Sequence, residues 1–164
     1  LGRAYLRFTE LEQITADGLV EASDEGRFEE RELTPQQVIY HERQRDAHDL
    51  WHVTTGYGRD PPGELALLAV TWRQVGNFGF LLIIGIGYRL IGKAEPELEV
   101  GKTLMEGFRA GKQAAWLPAA DWETMLTLPL EEVRKTLNVT KPQAYRDTVS
   151  KYAELQTAGY VAAE

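Results

Sequence analysis

His48, Asp49, His52 and Glu64 place two imidazoles and two carboxylates within seventeen positions, and all three histidines of the chain, His41, His48 and His52, fall within twelve residues. Imidazole with carboxylate is a ligand set for a borderline divalent ion such as zinc, iron or manganese. The set does chemistry only if the backbone gathers it. Two histidines at i and i+4 on an amphipathic helix are also a common solvated polar face, so the elements around them have to decide.

Thr34-Pro35 reads as a helix start, with Thr34 as N-cap and Pro35 in the first turn. No glycine or proline follows until Gly56, which predicts a helix from Pro35 to about Thr55. On it His48 and His52 share a face with His41 and Arg45, and Asp49 lies about 100° further round. Gly56 to Pro62 reads as a turn, with Asp60 as N-cap and Pro61 opening a second helix. Glu64 then falls in the first turn of that helix, across a short hairpin from His52. The arrangement closes a site between two antiparallel helices. Arg45 either meets a carboxylate or phosphate of a ligand or neutralises Asp49 or Glu64. His41 reads as an outer-layer or surface histidine, and Trp51 and Trp72 as core.

The second helix is expected to run from Pro61 to about Ile91. Gln74 to Tyr88 carries no charge and includes Gly76, Gly79, Gly85 and Gly87. The run is shorter than the roughly 20 apolar residues of a bilayer span, so a buried core helix is expected before membrane contact. Glu64, Leu68, Thr71, Val75, Phe78 and Leu82 fall near one face of such a helix. That face starts at the candidate ligand and becomes more apolar, and the glycines, Gly79 among them, thin the helix. A groove for an elongated lipid, with its head group at the metal, is one consequence; tight helix packing is the other. Further helices are expected over Glu97–Trp116, Leu130–Leu137 and Pro142–Ala158. Leu1 to Arg31, with the acidic run Glu21 to Gly26, reads as a loosely packed helix and a loop. Nothing alternates with period two, so the fold class is all-α: one helical domain over 1–164, its motif region about 34–138, with 1–33 and 142–164 peripheral.

Arg45-x-x-His48-Asp49-x-x-His52-x11-Glu64 resembles the signature of the coenzyme Q biosynthesis protein 4 family, and Trp122 with Pro129-Leu130-x-x-Val133-Arg134 resembles that family's downstream segment. The resemblance implies an all-helical metalloprotein of ubiquinone biosynthesis that binds a polyprenyl lipid or prenylated quinone precursor. It implies that His48, Asp49, His52 and Glu64 hold a divalent metal (zinc, iron, manganese or magnesium). From their places on the two helices, Arg45 and Glu64 are expected to act on the substrate, and Leu68, Val75, Phe78, Gly79 and Leu82 to line the lipid groove. It further implies replacement of the precursor's ring carboxyl by hydroxyl, and contact with other quinone-biosynthesis enzymes.

The bulk properties narrow the classes. A chain of 164 residues is enough for one sizeable core. A net charge of −7 lacks the basic footprint of a nucleic-acid binder and argues against general adhesion to anionic lipid. Without cysteine there is neither disulfide nor thiolate metal site. No signal or transit peptide is visible, and the expectation is a cytoplasmic protein peripheral to the inner membrane, with a homodimer left open. Two readings follow. One is a metal-dependent oxidative decarboxylase of quinone precursors, whose metal polarises the ring carboxylate or a bound oxygen species. The other is a non-catalytic, metal-assisted prenyl-lipid scaffold, which a closed four-coordinate zinc would suit better.

Overall fold

The computed structural model describes residues 1–14 and 34–162, with side chains to residue 154. The expected acidic loop around Glu21 lies outside the described residues. Among these residues there are eight α-helices and no strand: α1 (Gly2–Leu11), α2 (Pro35–Thr55), α3 (Pro61–Val75), α4 (Phe78–Ala94), α5 (Val100–Gln113), α6 (Trp122–Met125), α7 (Leu130–Thr136) and α8 (Gln143–Ala162). The all-α expectation therefore holds.

The start of α2 is a capping box. Thr34 Oγ1 accepts from Gln37 N–H and Gln37 Oε1 accepts from Thr34 N–H, so two otherwise orphaned donors are satisfied reciprocally. Its end is Gly56 at φ +83, whose N–H donates to His52 O at 2.8 Å. A left-handed residue there costs a side chain but not glycine. Asp60 caps α3, accepting from Gly63 N–H at 3.0 Å. Both boundaries lie where the sequence puts them.

The single long second helix does not form. It breaks at Gly76 and Asn77. Gly76 closes α3 at φ +70, and Asn77 opens α4 by accepting from Gly79 N–H at 2.9 Å. A left-handed glycine followed by an asparagine cap is a complete stop-and-start signal, and it outweighs the apolar run across it. The supposed continuous face is therefore split. Leu68 and Val75 are half-buried on α3, whereas Phe78, Gly79 and Leu82 are exposed on α4.

Trp51, Leu67, Leu117, Trp122 and Val133 centre the main core, as expected for Trp51. A smaller core joins α3, α4 and α5 through Leu65, Ala69, Ile84 and Val100, with Trp72 packed edge-on against Phe108. Both ends, expected to be peripheral, contribute to burial: Leu1 and Tyr145 sit in the main core and Thr148 is buried.

The largest helix interface joins α3 to α5, and glycine makes it. A Cβ on Gly107 would stand 2.5 Å from Ala66 O, and one on Gly111 would stand 2.8 Å from Val70 Cα and O. Close backbone approach thus uses Gly107 and Gly111, one turn apart on α5. Gly76 and Gly85 have nothing within 4 Å of such a Cβ. Gly87 alone among the four glycines singled out in the sequence faces another helix, with Leu65 Cδ1 at 2.9 Å.

Candidate metal centre

α2 ends in a buried run, Leu50 to Thr55, that seats His52 against the core. One turn earlier His48 is half-exposed, and its ring meets that of His52 edge-on at 4.8 Å. The five-residue connection folds α3 back so that Glu64 Oε1 lies 3.5 Å from His52 Nε2. One ligand atom from each of His48, His52 and Glu64 falls within 4.8 Å of the others, the only such group of three among the described residues.

His52 is prepared for one role. Its Nδ1 lies 2.9 Å from Tyr57 O. A carbonyl only accepts, so Nδ1 carries the proton and Nε2 presents its lone pair. Nε2 is buried and makes no hydrogen bond within the described structure. An orphaned buried acceptor is costly unless something meets it. Burial lowers the His52 pKa to about 4, so the ring is neutral at physiological pH. Burial also raises the Glu64 pKa, opposed by His48 and Arg59. A cation between these groups would favour the deprotonated form of both, the form each needs as a ligand. The residues present fit a divalent metal.

Asp49 stands beside this group. Its Oδ1 lies 3.8 Å from His48 Nδ1, and the His48 ring holds its carboxyl below the usual range. Arg45 pairs with Asp46 next to it, at 3.1 Å, rather than with Asp49 or Glu64. The cation whose charge bears on Asp49, His52 and Glu64 is Arg59 in the connecting loop. His41 is exposed and stacks edge-on with Tyr40.

Three contributors carry no local signal. Phe8 of α1 stacks on the His52 ring at 5.7 Å with 22° between planes, covering one face of it. Arg134 of α7 donates from Nε to Thr54 O at 2.8 Å and from an Nη to Val53 O at 3.1 Å. It thereby satisfies carbonyls of the last turn of α2, where a cation also suits the helix dipole. Tyr145 of α8 donates to Asp60 Oδ2 and accepts from Gly58 N–H. The Trp122 to Arg134 segment thus has a physical role: Trp122 and Val133 are core, and Arg134 caps the helix bearing His52.

A cavity of about 550 Å³ is lined by residues including Tyr57, Met105, Glu106, Arg109 and Pro142, and by none of His48, His52 or Glu64. It is not an apolar channel ending at the cluster. No described helix is long and apolar enough to cross a membrane. The outer face of α4 is nonetheless greasy: Phe78, Leu82, Ile86 and Leu90, spaced four apart, are 52–78 % exposed.

An all-helical protein with an exposed-edged His-His-Glu cluster between two helix ends is the class that the fold and the site define. The family profile of coenzyme Q (ubiquinone) biosynthesis protein Coq4 matches residues 1–143, and the chain belongs to that family. Similar curated proteins bear the corresponding name. The "Ubiquinone biosynthesis protein COQ4, mitochondrial" of Clavispora lusitaniae is 25 % identical over 157 residues, covering 93 % of this chain and 46 % of the relative. The "Ubiquinone biosynthesis protein COQ4 homolog, mitochondrial" of Aedes aegypti is 28 % identical over 141 residues, covering 84 % and 48 %. The homolog of the same name in Danio rerio is 28 % identical over 146 residues, covering 87 % and 50 %. The chain spans about half the length of these relatives.

Proposed function

We propose that this chain is a metal-dependent protein of ubiquinone biosynthesis that receives the head group of a prenylated hydroxybenzoate precursor, from which the ring carboxyl is replaced by hydroxyl. The family itself is one of ubiquinone biosynthesis. The single observation that carries the metal part is His52 Nε2, buried, unprotonated and unpartnered beside Glu64. His48, His52 and Glu64 hold the ion, and Asp49, on the edge of the same helix, is the fourth donor of the proposed set. Once bound, the metal supplies Lewis acidity at the carboxylate end of the substrate.

The chain's own residues do the rest. Phe8 covers one face of the His52 ring, and burial keeps water from that histidine. His48 and Glu64 are 44 % and 38 % exposed, so the outer side is open to a ligand. Arg59 supplies positive charge near the site for an anionic head group. The exchange releases carbon dioxide and takes up one oxygen atom, so it consumes a two-electron, oxygen-donating oxidant. The alternative reading, a prenyl-lipid scaffold for other enzymes of the route, is favoured by the exposed stripe on α4. That helix carries Arg89 and Lys93 and no acidic residue, a pattern suited to peripheral contact with a membrane surface.

Elemental analysis of the purified protein and of His52→Ala tests the metal. The expected result is one divalent ion per chain, lost in the variant. Lipid extracts of a deletion strain, bare or complemented with Glu64→Ala, separate the two readings. Decarboxylation at this centre requires carboxylated precursor to accumulate in both, with the variant folded and abundant. Normal quinone with Glu64→Ala would transfer the assignment to the scaffold.

A further inference from the structure

The two helices that bear the cluster are joined by residues 56–60, and that connection sets both inner ligands. Tyr57 O fixes the tautomer and plane of His52 by accepting from Nδ1. Asp60 fixes the start of α3: its Oδ1 accepts from Gly63 N–H at 3.0 Å, and its backbone O accepts from Glu64 N–H at 2.9 Å. Any shift of this loop moves the His52 ring and the Glu64 backbone together.

A side chain from an element distant in sequence also holds it. The Tyr145 hydroxyl accepts from Gly58 N–H at 2.9 Å and donates to Asp60 Oδ2. Its ring meets that of Tyr57 edge-on at 5.4 Å. The fit is tight, because a Cβ on Gly58 would stand 2.6 Å from the Tyr145 hydroxyl. Tyr145 is itself anchored. Glu106 on α5 accepts from the N–H groups of Ala144 and Tyr145, each at 3.0 Å. The C-terminal helix therefore transmits the position of α5 to the loop through one buried hydroxyl. Tyr145 lies two residues beyond the span that the family profile matches.

We propose that Tyr145 is a positioning residue of the metal centre: by holding Gly58 and Asp60 together, its hydroxyl fixes the loop that aims His52 and Glu64 at one ion. The proposal rests on the metal reading above. Partners one layer behind a metal's ligands typically change affinity by about 10–100-fold when removed. Tyr145→Phe keeps the ring and deletes the hydroxyl. Cobalt(II) alone, titrated into apo-protein, reads affinity and, through its d–d absorption, ligand geometry. Thr148→Val is the control, since it removes a buried hydroxyl pair on the same helix without touching the loop. The expected result is cobalt affinity about tenfold or more weaker, with an altered d–d band, in Tyr145→Phe, and wild-type behaviour in Thr148→Val. If Tyr145→Phe does not fold, Gly58→Ala decides, since it displaces the same loop from the other side and should weaken cobalt alike. Wild-type affinity in the folded loop variant, or equal losses in Tyr145→Phe and Thr148→Val, overturns the positioning role alone. A wild-type chain that takes up no cobalt overturns the metal reading, and this inference with it.

Discussion

Replacing Gly107 by alanine adds one methyl group at the place where α5 lies closest to α3. The new Cβ would stand 2.5 Å from Ala66 O and 3.2 Å from Ala66 C and Cα. All three are backbone atoms, so no side chain can turn away. Ordinary carbon contacts lie at about 3.5–4.0 Å, so the helices must part locally by roughly an ångström. Forcing extra volume into a packed interface costs about 1–3 kcal/mol. Alanine also returns about 1 kcal/mol of helix propensity. Gly85→Ala supplies the reference, because Gly85 lies inside α4 with nothing within 4 Å of an added Cβ. There the propensity gain acts alone and should stabilise by up to about 1 kcal/mol. The gap between the two variants, roughly 1–3 kcal/mol, is then the cost of the collision. Urea unfolding of both variants and the wild type measures it. A Gly107→Ala chain as stable as Gly85→Ala would refute the glycine-mediated approach. Ala66 is two residues from Glu64, so the same variant should also weaken metal uptake.

Three further outcomes follow from single contacts. The His52 pKa is lowered to about 4 from an ordinary 6.5, so between these values the unfolded chain binds more protons. The stabilisation from this neutral histidine is full above pH 6.5 and is lost as pH falls towards 4, by roughly 3 kcal/mol in all. Metal-free protein should therefore lose stability from pH 7 to pH 4.5 more steeply than His52→Gln; parallel profiles would contradict the assigned burial effect. Arg134→Lys keeps the charge but cannot present two guanidinium donors to Val53 O and Thr54 O. It should lower stability by about 2 kcal/mol, and an unchanged thermal midpoint would remove Arg134 from the support of α2. Leu82→Glu places a charge in the exposed stripe of α4. It should reduce sedimentation with vesicles of mixed zwitterionic and anionic phospholipid while leaving the fold and metal uptake intact; equal sedimentation would argue against membrane contact through this face.

The sequence by itself determined whatever is decided within a few residues. Thr34, Gly56 and Asp60 terminate helices through hydrogen bonds to their own neighbours, so the bounds of α2 and the start of α3 were legible. The spacing of His48 and His52 follows from helix geometry, and the placement of Glu64 follows from a short connection. Gly76 and Asn77 carry a local signal of the same kind, which the apolar run across them obscured. Tertiary structure decided the remainder. Arg45 was singled out because it shares a helix face with His48, but the nearer carboxylate of Asp46 takes its guanidinium, and Arg59 bears on the site instead. Phe8, Arg134 and Tyr145 reach the site from helices far away in sequence. Gly107 and Gly111 matter only because Ala66 and Val70 lie against them. Periodicity tells which face of a helix is apolar but not which helix covers it. That choice rests on packing distances between distant segments, which exist only once the chain has folded.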